Sequence, residues 1–216
     1  KDASASAIYG NRAANGVILI TTKKGTAGKL KINFSTLNTF SVVRNKVDVL
    51  TANEFRTLVT QKGNASEIAM LGTANTVWQD EIYQTAFATD NNISLSGGIA
   101  NLPYRLSLGY LNQDGIVKTS NLQRNSAGLN LSPKFLDNHL SVNLNSRFAH
   151  SNNTFANANN AVTSAAVYFD PTKPIYSGKN EYGGYYEWLY PPPTLNGLSQ
   201  KNPVGILNQR EDKSDV

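Results

Sequence analysis

Apolar and polar residues trade places at every second position over several stretches of roughly ten residues, the signature of strands with one wet and one apolar face. In the first stretch Leu30, Ile32 and Phe34 share a face opposite Lys29, Lys31, Asn33 and Ser35. Ile93 and Leu95 oppose Asn92, Ser94 and Ser96 ahead of Gly97-Gly98. Tyr104, Leu106, Leu108 and Tyr110 oppose Arg105, Ser107 and Gly109. A fourth stretch sets Ala127, Leu129 and Leu131 against Ser126, Gly128, Asn130 and Ser132. A fifth sets Leu140, Val142, Leu144 and Phe148 against Ser141, Asn143, Asn145 and Arg147. A sixth strand is expected to begin near Leu207.

The connections alternate between short and long. Ile99-Ala-Asn-Leu-Pro103 and Pro133-Lys-Phe-Leu-Asp-Asn138 are short, whereas 41–88 and 151–206 are long. Outer-membrane barrels join their antiparallel strands by short periplasmic turns and long external loops. On that pattern 41–88, 112–121 and 151–206 are external. These loops carry structure of their own. Thr51-Ala-Asn-Glu54 has the spacing of a capping box, and Phe55, Leu58 and Val59 give the helix behind it an apolar face. A second helix is expected near Ala158–Tyr168. Asp170-Pro171, Lys173-Pro174 and Pro191-Pro192-Pro193 then favour extended and turn conformations.

Composition sharpens this picture. Charged residues make up 16% of the chain, against roughly 25% in ordinary globular domains. Asn, Ser, Thr and Gly take up the difference, as a wall between water and an apolar medium requires. The net charge of +5 is scattered, with no basic helix or aromatic platform, which argues against nucleic acid. There is no cysteine for a disulfide or thiolate site. No apolar run approaches the ~20 residues of a membrane helix. The sequence opens without Met or a signal peptide, so it reads as an internal piece of a longer protein.

The most specific wording lies at the start. Lys1-Asp-Ala-Ser-Ala-Ser-Ala-Ile-Tyr-Gly10 leads through Asn11-Arg12-Ala13-Ala14-Asn15 to Gly16-Val-Ile-Leu-Ile-Thr-Thr-Lys-Lys-Gly25. Physically this is a small-residue turn, with Gly10 and Gly16 at special backbone angles, running into a buried strand over Val17 to Thr22. It resembles the D-A-[ST]-A-x-A-I-Y-G-x-R-x-A-N-G-V-I-x-I-T-T-K-K-G run that ends the plug of the SusC/RagA group of TonB-dependent outer-membrane transporters. The resemblance continues through Trp78-Gln-Asp-Glu-Ile-Tyr-Gln-Thr-Ala86, Ser94-Leu-Ser-Gly-Gly98, Gly109-Tyr-Leu-Asn-Gln-Asp-Gly-Ile-Val117 and Arg124…Leu129-Asn130. The last sixty or so residues match loosely, through Asn202-Pro203-Val204.

The resemblance implies a mainly β fold: residues 1–25 end an α/β plug, and 26–216 form the first five to six strands of a transmembrane barrel of about 22 strands. It implies an outer-membrane importer of glycans or oligopeptides, partnered by a SusD-like surface lipoprotein and by the TonB complex, embedded in outer-membrane lipid. The residues themselves leave a second reading open, a self-contained extracellular β-sandwich that binds carbohydrate.

Candidate chemistry is sparse. His139 and His150 lack metal-ligand spacing, and no nucleophile elbow, P-loop or dinucleotide fingerprint is present. Neither a catalytic residue, a metal nor a cofactor is therefore expected. Asp80-Glu81 and Glu211-Asp212 read as solvated pairs. The aromatic run Tyr182, Tyr185, Tyr186, Trp188 and Tyr190 can stack on sugar rings or contact a peptide, with simple packing of a long loop as the competing reading. Asp2 and Arg12 are candidates for a latch between plug and barrel, or for local backbone contacts. The polar strand positions Asn33, Asn92, Ser94, Arg105, Asn130, Asn143 and Arg147 are expected to face a hydrated interior.

Overall fold

A computed structural model describes residues 23, 25, 28–137, 139–156, 161–189, 200–209 and 212–215. The plug-like run over 1–22, with Gly10, Gly16, Asp2 and Arg12, lies outside the described residues. The chain divides into two compact units. One comprises Lys1–Lys31, Leu95–Leu106 and Leu129–Ser146; the other comprises Ile32–Ser94, Ser107–Gly128 and Arg147–Val216.

Six strands form one sheet in the order β1-β2-β3-β4-β7-β8. Their ranges are β1 Lys31–Ser41, β2 Ala86–Ile99, β3 Leu102–Asp114, β4 Asn121–Leu131, β7 Leu144–Phe155 and β8 Asp212–Asp215. The strands run further than the alternation predicts, reaching into the segments 41–88, 112–121 and 151–206. Ladder bonds are made by the backbone, so runs such as Thr89-Asp-Asn-Asn92 extend a strand without keeping period two. Between β2 and β3 the chain reverses over Ala100-Asn101, with Ala100 at a φ of 51°.

Two expectations need correction. Leu140 and Ser141 do not open the fifth strand of the sheet. They form β6 (Leu140–Ser141), which pairs antiparallel with β5 (Lys134–Phe135) in a separate ribbon. Leu136 and Asp137 sit at φ 51° and 52°, closing a turn tight enough for the chain to pair with itself. Alternation alone does not say which neighbour a strand pairs with. Leu207, expected near the start of a sixth strand, instead lies in a helix, Pro203–Gln209, and the strand follows as β8. Asn202 starts that helix: its Oδ1 accepts from the backbone N–H of Val204 at 3.0 Å and of Gly205 at 3.1 Å. Pro203 then occupies the first helical position, where its missing N–H costs nothing.

The remaining helices are α1 (Ala52–Lys62), α2 (Ala65–Ala69), α3 (Trp78–Ile82) and α4 (Ala161–Tyr168), with α5 the Pro203–Gln209 helix. The second unit holds the hydrophobic core. Trp78 and Ile82 of α3, Val162 and Ala166 of α4, Phe169, and Val204 and Leu207 of α5 pack together there. The core thus sits in the segments between strands, whereas Ile32 and Phe34 of β1 and Phe148 of β7 stay exposed.

Candidate functional site

The Thr51-Ala-Asn-Glu54 spacing builds the predicted capping box. Thr51 Oγ1 accepts from the Glu54 N–H at 3.3 Å, and the Glu54 carboxylate accepts from the Thr51 N–H at 2.8 Å. These bonds favour the ionised form and hold the Glu54 carboxyl below its ordinary range. The apolar stripe of α1 is also present, but it is not sealed by packing. Phe55, Leu58 and Val59 line an open cavity of about 1270 Å3 whose wall includes Trp78, Phe169 and Trp188.

Arg56, on the same helix, ties down the chain beside this cavity. Its Nε donates to Gly72 O at 3.0 Å, and one terminal nitrogen reaches the Asn53 and Asn75 side chains at 2.9 and 2.8 Å. Gly72 and Ala74 are held in turn by Thr172, through its Oγ1 at 2.9 Å and its carbonyl at 3.0 Å. A side-chain carbon at Gly72 would collide with the Thr172 carbonyl.

The aromatic loop folds onto this frame. Phe169 meets Trp78 edge-on at 4.8 Å between centroids and Tyr186 at 6.4 Å; Tyr186 meets Trp188 at 6.1 Å. The Trp78 indole N–H donates to Asp170 O at 2.9 Å. Lys173, nearly buried, places its ammonium 4.5 Å above the Trp188 ring and 5.6 Å from that of Tyr186, and donates to the Met70 carbonyl. Burial lowers the pKa of Lys173, with nearby Asp170 opposing the shift. Burial also raises that of the Tyr186 hydroxyl, and Asp170 adds to the effect.

Asn202 closes the loop from the other side. Fully buried, its Nδ2 donates to Ile175 O at 2.9 Å and Tyr186 O at 3.1 Å, while its own N–H donates to the Glu187 carboxylate at 3.2 Å. Every polar atom of this side chain is used, so its burial is compensated. Desolvation raises the Glu187 pKa and outweighs that hydrogen bond and the Lys201 charge.

The predicted aromatic residues therefore divide. Tyr185 and Tyr186 pack against the core, Tyr185 also meeting Tyr176 at 5.4 Å. Trp188 faces the cavity. Tyr182 sits at φ 53° in a 3-10 turn, Glu181–Gly184, and Tyr190 lies outside the described residues. Among the polar strand positions Ser94 and Asn130 are buried, and Asn92 donates to Asp90 at 2.7 Å. Asp80 pairs with Lys46, while the His150 ring lies 3.3 Å from Asp215. Lys173, Asn202 and Arg56 were not singled out for these roles from sequence. For Asn202 a usable signal existed in the Asn-Pro order that starts a helix.

Similarity to known proteins fits this architecture. No protein-family model matches the chain. The TonB-dependent receptor SusC of Bacteroides thetaiotaomicron is 43% identical over 231 aligned residues, spanning 100% of this chain and 23% of SusC. The chain belongs to the SusC/RagA family of TonB-dependent receptors. The TonB-dependent receptor P3 of Formosa agariphila is 48% identical over 57% of the chain and 12% of its own length. The solved RagAB peptide importer shares the fold: in its open-open state it superposes on 94% of this chain and 27% of its own with a TM-score of 0.63 at 25% identity. These relatives are receptors and importers rather than enzymes. The chain thus spans about a quarter of SusC's length.

Proposed function

We propose that this chain forms the end of the plug and the first barrel strands of an outer-membrane importer. In this reading residues 1–25 close the plug, 26–216 supply wall strands, and the inter-strand segments 41–88, 112–121 and 151–206 lie outside the cell. The carrying observation is the 43% identity to SusC, which extends over the entire chain. The exposed apolar positions Ile32, Phe34 and Phe148 suit lipid contact. A β-sandwich would need a second sheet over those positions, and the described residues form one six-stranded sheet and a two-stranded ribbon.

The importer works with a SusD-like lipoprotein and draws on TonB; its cargo is a glycan or an oligopeptide. Trp188, at the cavity wall, is the aromatic residue best placed to touch cargo or the lipoprotein, with Tyr182 and Tyr190 completing the aromatic contact. An Asp2–Arg12 latch holding the plug completes this reading.

The test uses the native bacterium. Deleting the gene should abolish growth on one class of glycan or oligopeptide, and loss of TonB should copy the defect. Affinity purification of the full receptor should bring down a surface lipoprotein. Trp188→Ala should raise the KM of uptake while leaving receptor abundance unchanged. Unimpaired growth on both cargo classes without the gene, or purification of a soluble monomer, would overturn the reading.

A further inference from the structure

Gly25 is held in a way that its position next to the plug-like run does not explain by itself. Its N–H donates to the buried side-chain oxygen of Asn130 at 3.5 Å, 105 positions along the chain. A side-chain carbon at Gly25 would collide with the backbone of Tyr104, so only glycine can lie this close. Tyr104 is engaged from its other end as well. A side-chain carbon at Gly97 would sit 3.0 Å from the Tyr104 hydroxyl and 3.3 Å from the Leu30 Cα. Gly28, at φ 130°, accepts at its carbonyl from the Gly98 N–H at 2.9 Å. Ser132 Oγ lies 3.5 Å from the Asn130 oxygen and donates to the Asn143 side-chain oxygen at 3.0 Å. Gly25, Gly28 and Leu30 are therefore fixed to three strands, β2, β3 and β4, before the first strand of the sheet begins.

We propose that Gly25, seated on Asn130 and the Tyr104 backbone, is a fixed anchor where the plug leaves the wall. Rearrangement driven from the N-terminal side stops at this point, and the chain from Gly28 onward stays with the strands. Asn130 acts as a positioning residue for the plug, not as a contact for cargo. The second half of the proposal rests on the importer reading above. The seating of Gly25 does not.

Hydrogen exchange on the full receptor in lipid nanodiscs separates the two. Asn130→Leu should speed exchange of peptides covering 23–30 about tenfold, the loss expected for one hydrogen bond, while peptides from 102–114 keep their protection. Gly25→Val, which leaves β4 untouched, should do the same. Unchanged exchange at 23–30 in both variants would overturn the anchor, whatever the receptor transports. A soluble TonB domain is then added to the unmodified receptor. Protection lost over 1–22 but kept at Gly25 to Leu30 supports the stop point; loss across both overturns it. If that domain does not bind at all, the importer reading fails, while the two variants still decide the anchor.

Discussion

Ile82 and Val162 in the segments between strands are 0% and 2% exposed, whereas Ile32 and Phe34 in β1 are 64% and 63% exposed. Residues of similar hydrophobicity meet opposite fates in one chain. The inter-strand module folds as soluble proteins do, burying Trp78, Phe169 and Leu207 together and pairing the buried side chains of Gln79, Thr172, Lys173 and Asn202. The strands bury almost nothing in one another's faces and leave an apolar side outward. In the importer reading, that apolar side meets lipid rather than water.

Substitution can break or sharpen this contrast. Trp78→Ala, which removes an indole from the module's centre, should lower the local opening free energy of α3 and α4 by about 3–5 kcal/mol. Hydrogen exchange reads this directly, and β2 to β4 should keep their protection; equal loss in the strands would erase the distinction between the regions. Phe34→Arg should cost about 2–4 kcal/mol of insertion if that face meets lipid, measured by refolding the full receptor into vesicles. A neutral result would place Phe34 in water or against protein. Thr51→Ala should loosen the first turn of α1 by about 1 kcal/mol, with no effect on α4.

The smallest effect is a pH dependence. Glu187 has a raised pKa in the folded module, so its proton is bound more tightly there than in the unfolded chain. Its contribution to stability is full below the ordinary carboxylate pKa and is lost as pH rises through the elevated value. Glu187→Gln should keep an acceptor for the Asn202 N–H and flatten that slope. Exchange rates of the 181–189 segment, compared at mildly acidic and neutral pH, check this.

What was legible in the sequence follows from range. The capping box of Thr51 and Glu54 spans three positions and could be read outright, as could the alternation that makes β3 and β4. Tyr185 and Tyr186 were legible as an aromatic cluster able to pack its loop, but their partners, Gly205 of α5 and the ring of Phe169, were not. The Trp78 indole and the Asp170 carbonyl are separated by 92 positions and Lys173 and Met70 by 103. No local pattern announces such pairs. The strand boundaries failed for the opposite reason: the ladder is made by backbone groups that every residue carries. At Leu207 the helix signal lay five residues upstream, in Asn202-Pro203, where apolar periodicity does not look.

The chain has two tryptophans, Trp78 and Trp188, and both lie in the inter-strand module. One indole is edge-on to a phenylalanine and the other lies beneath an ammonium group. Within these 216 residues their emission is therefore an optical gauge for this module rather than for the strands. With any tryptophan elsewhere in the full receptor replaced, a shift in colour or intensity on adding cargo would register events at the cavity these two indoles line.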